Sequence, residues 1–317
     1  MDVSLELRER VREAFLRQGF ARVGFTTAEP VADGVSGWVA QGRHAGMGWM
    51  AEGAARRADP RALLPAAAAV ICAAAAYPAT DARGPIAGYA RGEDYHRTLR
   101  AALWRGVEAA RVQLPSMQAR LCVDTAPLLE RALAARAGLG WIGRNTMLLD
   151  AAHGPWLLLG EVVTDAAFPP DAPQPDRCGT CTACVEACPT QALDLARGLD
   201  ARRCLSYWTI EHRGETPAEW ARAAGGRVFG CDDCLTACPF PAQPAALAAA
   251  GPEAPFQPRA DLVDPTLDEL AARAEGSFRR HFRSTPIERA RKAGLLRNLR
   301  HARANGGRAE PSARMPR

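Results

Sequence analysis

Residues 4–18 place Leu7, Val11, Ala14 and Phe15 at three- and four-residue spacing among charged positions, with Gly19 beyond them. That is the stripe of an amphipathic helix followed by its C-cap. Short apolar runs at 21–26 (ARVGFT) and 69–76 (AVICAAAA) read as strands. The segment between them, GWVAQGRHAGMGWMAEGAARRADPRALLP, has the Gly and Trp content of a binding loop as much as of a linker. The pattern predicts a helix at about 94–113, a strand at about 119–124 (ARLCVD) and a helix over 127–137 stopped by Gly138. Residues 145–149 and 156–163, joined by DAAHGP, read as a hairpin. This alternation makes the first 165 residues an α/β or α+β domain.

The Pro-rich stretch AAFPPDAPQPDR at 166–177 breaks the pattern and marks a boundary. A second Pro- and Ala-rich stretch follows Cys238, and helical patterns resume near 265–275 and 285–303. The expected organisation is therefore 1–165, 166–245 and 246–317, a division that suits a chain of 317 residues. No apolar run approaches the ~20 residues needed to cross a bilayer, so no membrane role is expected. The N-terminus MDVSLELRERVREAF mixes acids and arginines where a signal peptide needs a basic start, so the chain is expected to be cytoplasmic.

Charge changes the picture at one end only. Residues 273–317 hold twelve Arg and one Lys against three Glu, a balance of +10 in a chain whose total is +5. Such a segment either binds a polyanion or is a solvated end.

Eight of the ten cysteines fall between 178 and 238. CGTCTACVEACP spaces Cys178, Cys181, Cys184 and Cys188-Pro as the bacterial ferredoxin run does, in which the fourth thiolate serves a second cluster. CDDCLTACP repeats the pattern as Cys231, Cys234 and Cys238-Pro without its leading cysteine, which Cys204 can supply. Crossing the fourth ligands gives Cys178, Cys181, Cys184 and Cys238 for one 4Fe-4S cluster. Cys188, Cys204, Cys231 and Cys234 then hold the other. Cys-x-x-Cys pairs also suit tetrahedral zinc, but the triple spacing ending in Cys-Pro occurs twice. Cys72 and Cys122 read as small buried strand residues.

The stretches CVDTAPLLERALAARAGLGWIGRNTMLLDAAHGPWLLLGEVVTD, DARRCLSYWTIEHRG and the two cysteine runs resemble the epoxyqueuosine reductases. GMGWM, RADPRALLP and YARGEDYHRTLR add earlier matches, so the similarity spans about 5–300. The resemblance implies an α+β fold, with a cobalamin-binding domain similar to that of reductive dehalogenases, a ferredoxin-like two-cluster domain and a short helical C-terminus. It also implies reduction of epoxyqueuosine to queuosine at the tRNA wobble position, with electrons passing through two 4Fe-4S clusters to cobalamin. A reductant such as a flavodoxin or ferredoxin, and a monomeric enzyme, are the expected context. The sequence departs from the family at Gln191, where CPTG is usual, at Phe240 and Pro241, where CPWN is usual, and at Arg144, often Lys. It also stops soon after 300, leaving no room for the helical-repeat tail of longer relatives, which bears on tRNA binding.

By its position at a strand end, Asp124 is either a helix N-cap or an acid facing a cleft. The resemblance implies the latter, as the family's proton donor, which requires a neighbour that raises its pKa. Asp94, Tyr95 and His96 form a helix-start cluster that suits a cap or a ligand role. The resemblance places Arg57, His96, Asp124, Asn145 and Ser206 around cobalamin; Glu211, His212 and Arg213 are expected either to approach the substrate nucleotide or to form an exposed charged turn. Arg280 and Arg283, in a basic stretch that also holds Arg297, are expected on the tRNA-binding surface at 279–300. No G-x-G-x-x-G at dinucleotide spacing and no P-loop is present. Two rival readings remain: a corrinoid reductive dehalogenase, usually exported and using a Tyr donor, and a two-cluster electron carrier that binds no corrinoid.

Overall fold

In a computed structural model, which describes residues 2–307 except 33, 80–83, 197 and 241–256, the opening helix forms as α1 (Leu5–Leu16). Its N-cap Ser4 accepts the Leu7 amide, and Val11, Ala14 and Phe15 are buried. The short helices α2 (Val35–Ala40) and α3 (Gly48–Glu52) lie in the Gly/Trp segment. Then come α4 (Tyr95–Arg111) and α5 (Glu130–Arg136). Six strands accompany them: β1 (Arg22–Thr27), β2 (Ala69–Ala76), β3 (Ala119–Cys122), β4 (Trp141–Ile142), β5 (Leu148–Leu149) and β6 (Leu157–Thr164).

The principal sheet has the order β1-β2-β6-β3, and each neighbouring pair is antiparallel. Because β2 lies inside the sheet and is covered on both faces, its residues are apolar without alternation. Ala69, Ile71, Ala73 and Ala75 face α1 and α4, whereas Val70, Cys72 and Ala74 face α5. Cys72 and Cys122 are both buried in strands. Close helix packing needs Gly106 of α4, where a Cβ would stand 2.7 Å from the Phe15 ring. Gly138, at φ +74°, ends α5 with the Ala172 carbonyl 2.5 Å from where its Cβ would be.

The expected hairpin of 145–149 with 156–163 does not form. Asp150 does close a tight turn, accepting the Ala152 and His153 amides, but β5 pairs with β4 while β6 enters the principal sheet between β2 and β3. Eight-residue β6 finds an equally long partner in β2, which a local hairpin could not supply. Likewise β3 stops at Cys122, before Asp124, and α5 starts at Glu130 rather than 127. The N-cap Leu129 has non-helical backbone at ψ 70° and its amide is bonded to the Arg57 carbonyl, so the helix begins only after it.

The Pro-rich stretch is strapped to β1: Asp171 exchanges hydrogen bonds with Phe25 through its amide and carboxylate, and pairs with Arg12 at 2.8 Å. The cysteine region holds α6 (Ala183–Ala187), the two-stranded β7 (Leu193–Asp194) and β8 (Gly198–Leu199), α7 (Ala218–Ala224) and α8 (Asp233–Thr236). Pro241 and the boundary at 245/246 lie outside the described residues. A further core joins Ile86 and Ala90 to Val228 and Phe229 and to the last helices, α9 (Leu267–Phe282) and α10 (Arg291–Ala304). The helix expected at 285–303 is thus split into a 3-10 turn, Pro286–Ala290, and α10, with Arg291 left-handed at φ +59°.

Tyr207–Glu211 is a π-helical turn, closed by the His212 amide on the Tyr207 carbonyl. The wider turn leaves carbonyls without the usual partners. Arg297 supplies them, donating to the carbonyls of Trp208, His212 and Gly214 at 2.8, 3.1 and 2.7 Å, while Asn298 serves Thr209. Arg297 is 4% exposed, so it is a structural residue and is removed from the expected tRNA surface. Arg297→Ala is expected to cost about 3 kcal/mol or more in urea unfolding, because several charge-assisted hydrogen bonds go at once. Exposed Arg300→Ala serves as control and should stay within about 0.5 kcal/mol.

Candidate active site

A cleft of about 680 Å³ opens where the end of β3, the start of α4, the π-turn and the Pro286–Ala290 turn meet. Asp124 lies at φ +54°, a conformation that Asp tolerates better than most residues and that occurs at functional sites. It caps no helix, since the N-cap of α5 is Leu129. Its Oδ2 instead accepts from Tyr95 Oη and His96 Nε2, each at 3.0 Å. Asp94 is the N-cap of α4, and its Oδ1 accepts both the His96 amide at 3.0 Å and His96 Nδ1 at 2.7 Å. The cap and site readings of this cluster are therefore compatible.

Both ring nitrogens of His96 donate to carboxylates, which only the imidazolium can do. Burial opposes that charge, but the bonds to Asp124 and Asp94 outweigh it and push the His96 pKa from 6.5 up to about 9. Burial likewise works to raise Asp124, and the His96 bond and charge, with Tyr95, hold its carboxyl below the ordinary range. The transferable proton thus rests on His96, 3.0 Å from Asp124. Around this pair, Tyr95 stacks on His96 at 4.2 Å and meets Tyr89 edge-on at 5.8 Å, and burial raises both phenols.

Ser206 and Glu211 line the same cleft, with Met47 and Trp49 from the Gly/Trp segment. Glu211 is held bidentately by Arg289, both contacts 2.8 Å, and the Arg289 and Arg57 guanidiniums lie 5.9 and 5.5 Å from the Trp49 ring centre. Arg57 is buried beside the cleft, and its Nε has no hydrogen-bond partner. Three expected residues lie elsewhere. Asn145 is buried and donates to the Cys234 carbonyl at 3.4 Å. Arg213 donates to the carbonyls of Ile210, Arg289 and Ala290. His212 is turned to the Glu215 carbonyl. Arg280 and Arg283, with Arg97 and Arg279, line a second cavity of about 720 Å³ that shares Asp94 and Glu288 with the first.

The thiols gather as two quartets. Burial, and then the thiols Cys231, Cys204 and Cys188, raise Cys234. Burial, and then Cys238 and Cys178, raise Cys184, and Cys238 in turn feels Cys178 and Cys181. Amides point at the sulfurs, as the Ala192 amide does at Cys188 Sγ, 3.2 Å away. Such donors stabilise the anionic sulfurs of a cluster. Among the described residues, no three His, Cys, Asp or Glu side chains form a site for a single ion. Cys204 also lines the cleft, so one quartet abuts it. Gln191, the departure noted above, sits at φ +51°, where the family's usual glycine is free of strain.

Fold and thiol quartets together define an oxidoreductase in which a two-cluster module borders a substrate-sized cleft. A family model described as a 4Fe-4S double cluster binding domain matches residues 177–241, and one described as epoxyqueuosine reductase QueG, DUF1730, matches 57–125. An epoxyqueuosine reductase of Xanthomonas campestris pv. campestris is 39% identical over 311 residues, covering 94% of this chain and 85% of that one. One from Synechocystis sp. is 39% identical over 290 residues, covering 88% and 98%. Among solved structures, the enzyme of Streptococcus thermophilus superposes with TM-score 0.81 at 28% identity, covering 95% and 82%. An epoxyqueuosine reductase with an epoxyqueuosine-modified tRNA-Tyr stem loop gives 0.78 at 30% identity, covering 95% and 81%. The chain belongs to the epoxyqueuosine reductase family.

Sequence reasoning counted Arg289 only among the arginines of the tRNA surface expected at 279–300, whereas it binds Glu211 at the cleft, and it missed Glu130 and Glu161. A lone acid inside the apolar run WLLLGEVV was the available signal for Glu161, whereas nothing local distinguishes Arg289 from the arginines around it. His96 should titrate near pH 9 by NMR, and Asp124→Asn should bring it down towards 6.5. Because the folded value exceeds the unfolded one, the stability this cluster contributes is complete below pH 6.5. It should fade as pH rises through about 9, a decline that denaturation curves at pH 7 and 10 would show.

Proposed function

We propose that this chain reduces epoxyqueuosine to queuosine in tRNA, with Asp124 and His96 delivering the proton to the opening epoxide oxygen. The observation that carries this reading is the imidazolium of His96 held between Asp94 and Asp124 at the floor of a cleft bordered by Cys204. General acid catalysis needs a proton within hydrogen-bond reach of the reacting atom. Here Asp124 is the cleft-facing end and His96 the store behind it. Cobalamin, when bound, supplies the low-potential reduction of the epoxide carbon.

The residues present suit such a cofactor. The cleft combines Tyr89, Tyr95 and Trp49 with polar groups, the buried Arg57 Nε lacks a partner, and Ser206 lies beside the cluster ligand Cys204. Arg57, His96, Asp124 and Ser206 would hold the cofactor, and Glu211 with Arg289 would meet the nucleotide. Asn145 acts through the cluster loop, fixing the Cys234 carbonyl. The thiols of the quartet with Cys204 lie on the path by which electrons reach the cleft.

Arg279, Arg280 and Arg283 at the end of α9 give the second cavity a cationic rim beside the first, which suits the phosphates of an anticodon stem-loop. Among the described residues no helix is long and apolar enough to cross a membrane. A substrate made of tRNA places the activity in the cytoplasm.

Epoxyqueuosine should accumulate in tRNA nucleosides from a strain lacking this chain; unchanged queuosine there would refute the assignment. Asp124→Asn should keep both clusters and bound corrinoid yet lose about 10²–10⁴-fold in single-turnover rate, since an amide has no proton to pass. A carrier with no corrinoid binding would instead show iron–sulfur absorption alone. Reversing the charge of Arg280 and Arg283 together should weaken tRNA binding and lower the salt slope by about one unit per phosphate lost. Cobalamin content should not change.

A further inference from the structure

Asp124 keeps its left-handed backbone although no helix or strand includes it. The one group bonded to its amide is the Glu130 carboxylate, with Oε1 2.5 Å from the Asp124 nitrogen. Glu130 opens α5, where the helix dipole favours a negative charge. Behind it, at the centre of β6, is Glu161, which is 0% exposed and has neither carboxyl oxygen hydrogen-bonded. Its register partners on the flanking strands are Cys72 and Cys122, which leave it in apolar surroundings. A carboxylate there without a partner would be costly, and two neighbouring carboxylates more so, so Glu161 keeps its proton.

We propose that Glu130 positions Asp124, its carboxylate holding the Asp124 amide in the left-handed backbone conformation from which the side chain reaches His96 and Tyr95. Glu130 is thus a positioning residue. The inference rests on Asp124 being the proton donor, because only then does fixing its backbone affect turnover.

Charges face Glu130 from each packed element. Burial and then Asp124 raise Glu130, to about 7, against opposing contributions from its own bond to the Asp124 amide, from Glu161 and from Arg131. Arg131 itself is turned to the Thr146 carbonyl. From the other elements Arg57, Tyr95, Cys72 and Cys122 feel the Glu130 charge. Burial first, and Glu130 second, raise Glu161 well above the ordinary range.

The test is steady-state and single-turnover kinetics on the holoenzyme. Glu130→Ala should lower kcat by between about tenfold and a hundredfold with KM for tRNA unchanged, as expected for a misplaced catalytic group. Glu130→Gln, whose side-chain oxygen can accept the same Asp124 amide, should restore most of the lost rate. Parental kcat in Glu130→Ala, or a Glu130→Gln as slow as Glu130→Ala, overturns the positioning role. Should Glu130→Ala not fold, a Glu130→Gln whose kcat falls as far as that of Asp124→Asn overturns it equally. Unimpaired turnover in Asp124→Asn would remove the proton-donor reading instead.

Discussion

The two cysteine runs converge, the thiols of Cys238 and Cys178 facing Cys184 while those of Cys231, Cys204 and Cys188 face Cys234, and this convergence organises the middle of the molecule. It brings α6 and α8 into contact. Cys204, far upstream of its run, travels with them and carries the chain directly into the π-turn at Tyr207–Glu211. The wall of the cleft is therefore set where the two runs meet. Arg297 and Asn298 of α10 complete it by taking up the carbonyls that the π-turn leaves without partners.

Across the cleft the governing quantity is the cost of burying charge. His96 remains an imidazolium because two carboxylates face its two nitrogens, and Asp124 remains a carboxylate because His96 and Tyr95 donate to it. Deeper in, where no cation is at hand, the same physics keeps Glu161 neutral. Charge at this site thus changes from paired at the cleft to suppressed beneath it, with Glu130 at the border and bonded to the backbone of Asp124.

The arginines of the C-terminal region divide by environment. Arg297 is buried among carbonyls, Arg289 is locked on Glu211 at the cleft, and Arg280 and Arg283 face an open cavity. A balance of +10 says nothing of this division. It is decided by which side of α9, of the 3-10 turn and of α10 meets the π-turn.

What the amino-acid sequence determined by itself was local in nature. The opening helix, the buried strand AVICAAAA, the cap at Asp94 and the two cysteine runs follow from spacing, because spacing alone decides which side chains share a face or reach one cluster. The tertiary structure decided what depends on non-local partners. It sent β6 to β2 rather than into a hairpin, ended β3 before Asp124, moved Asn145 and Arg213 onto backbone carbonyls and brought Arg289 to Glu211. It also set the protonation of His96, Asp124 and Glu161, since a pKa follows from burial and facing charges, and these exist only once distant parts of the chain have packed.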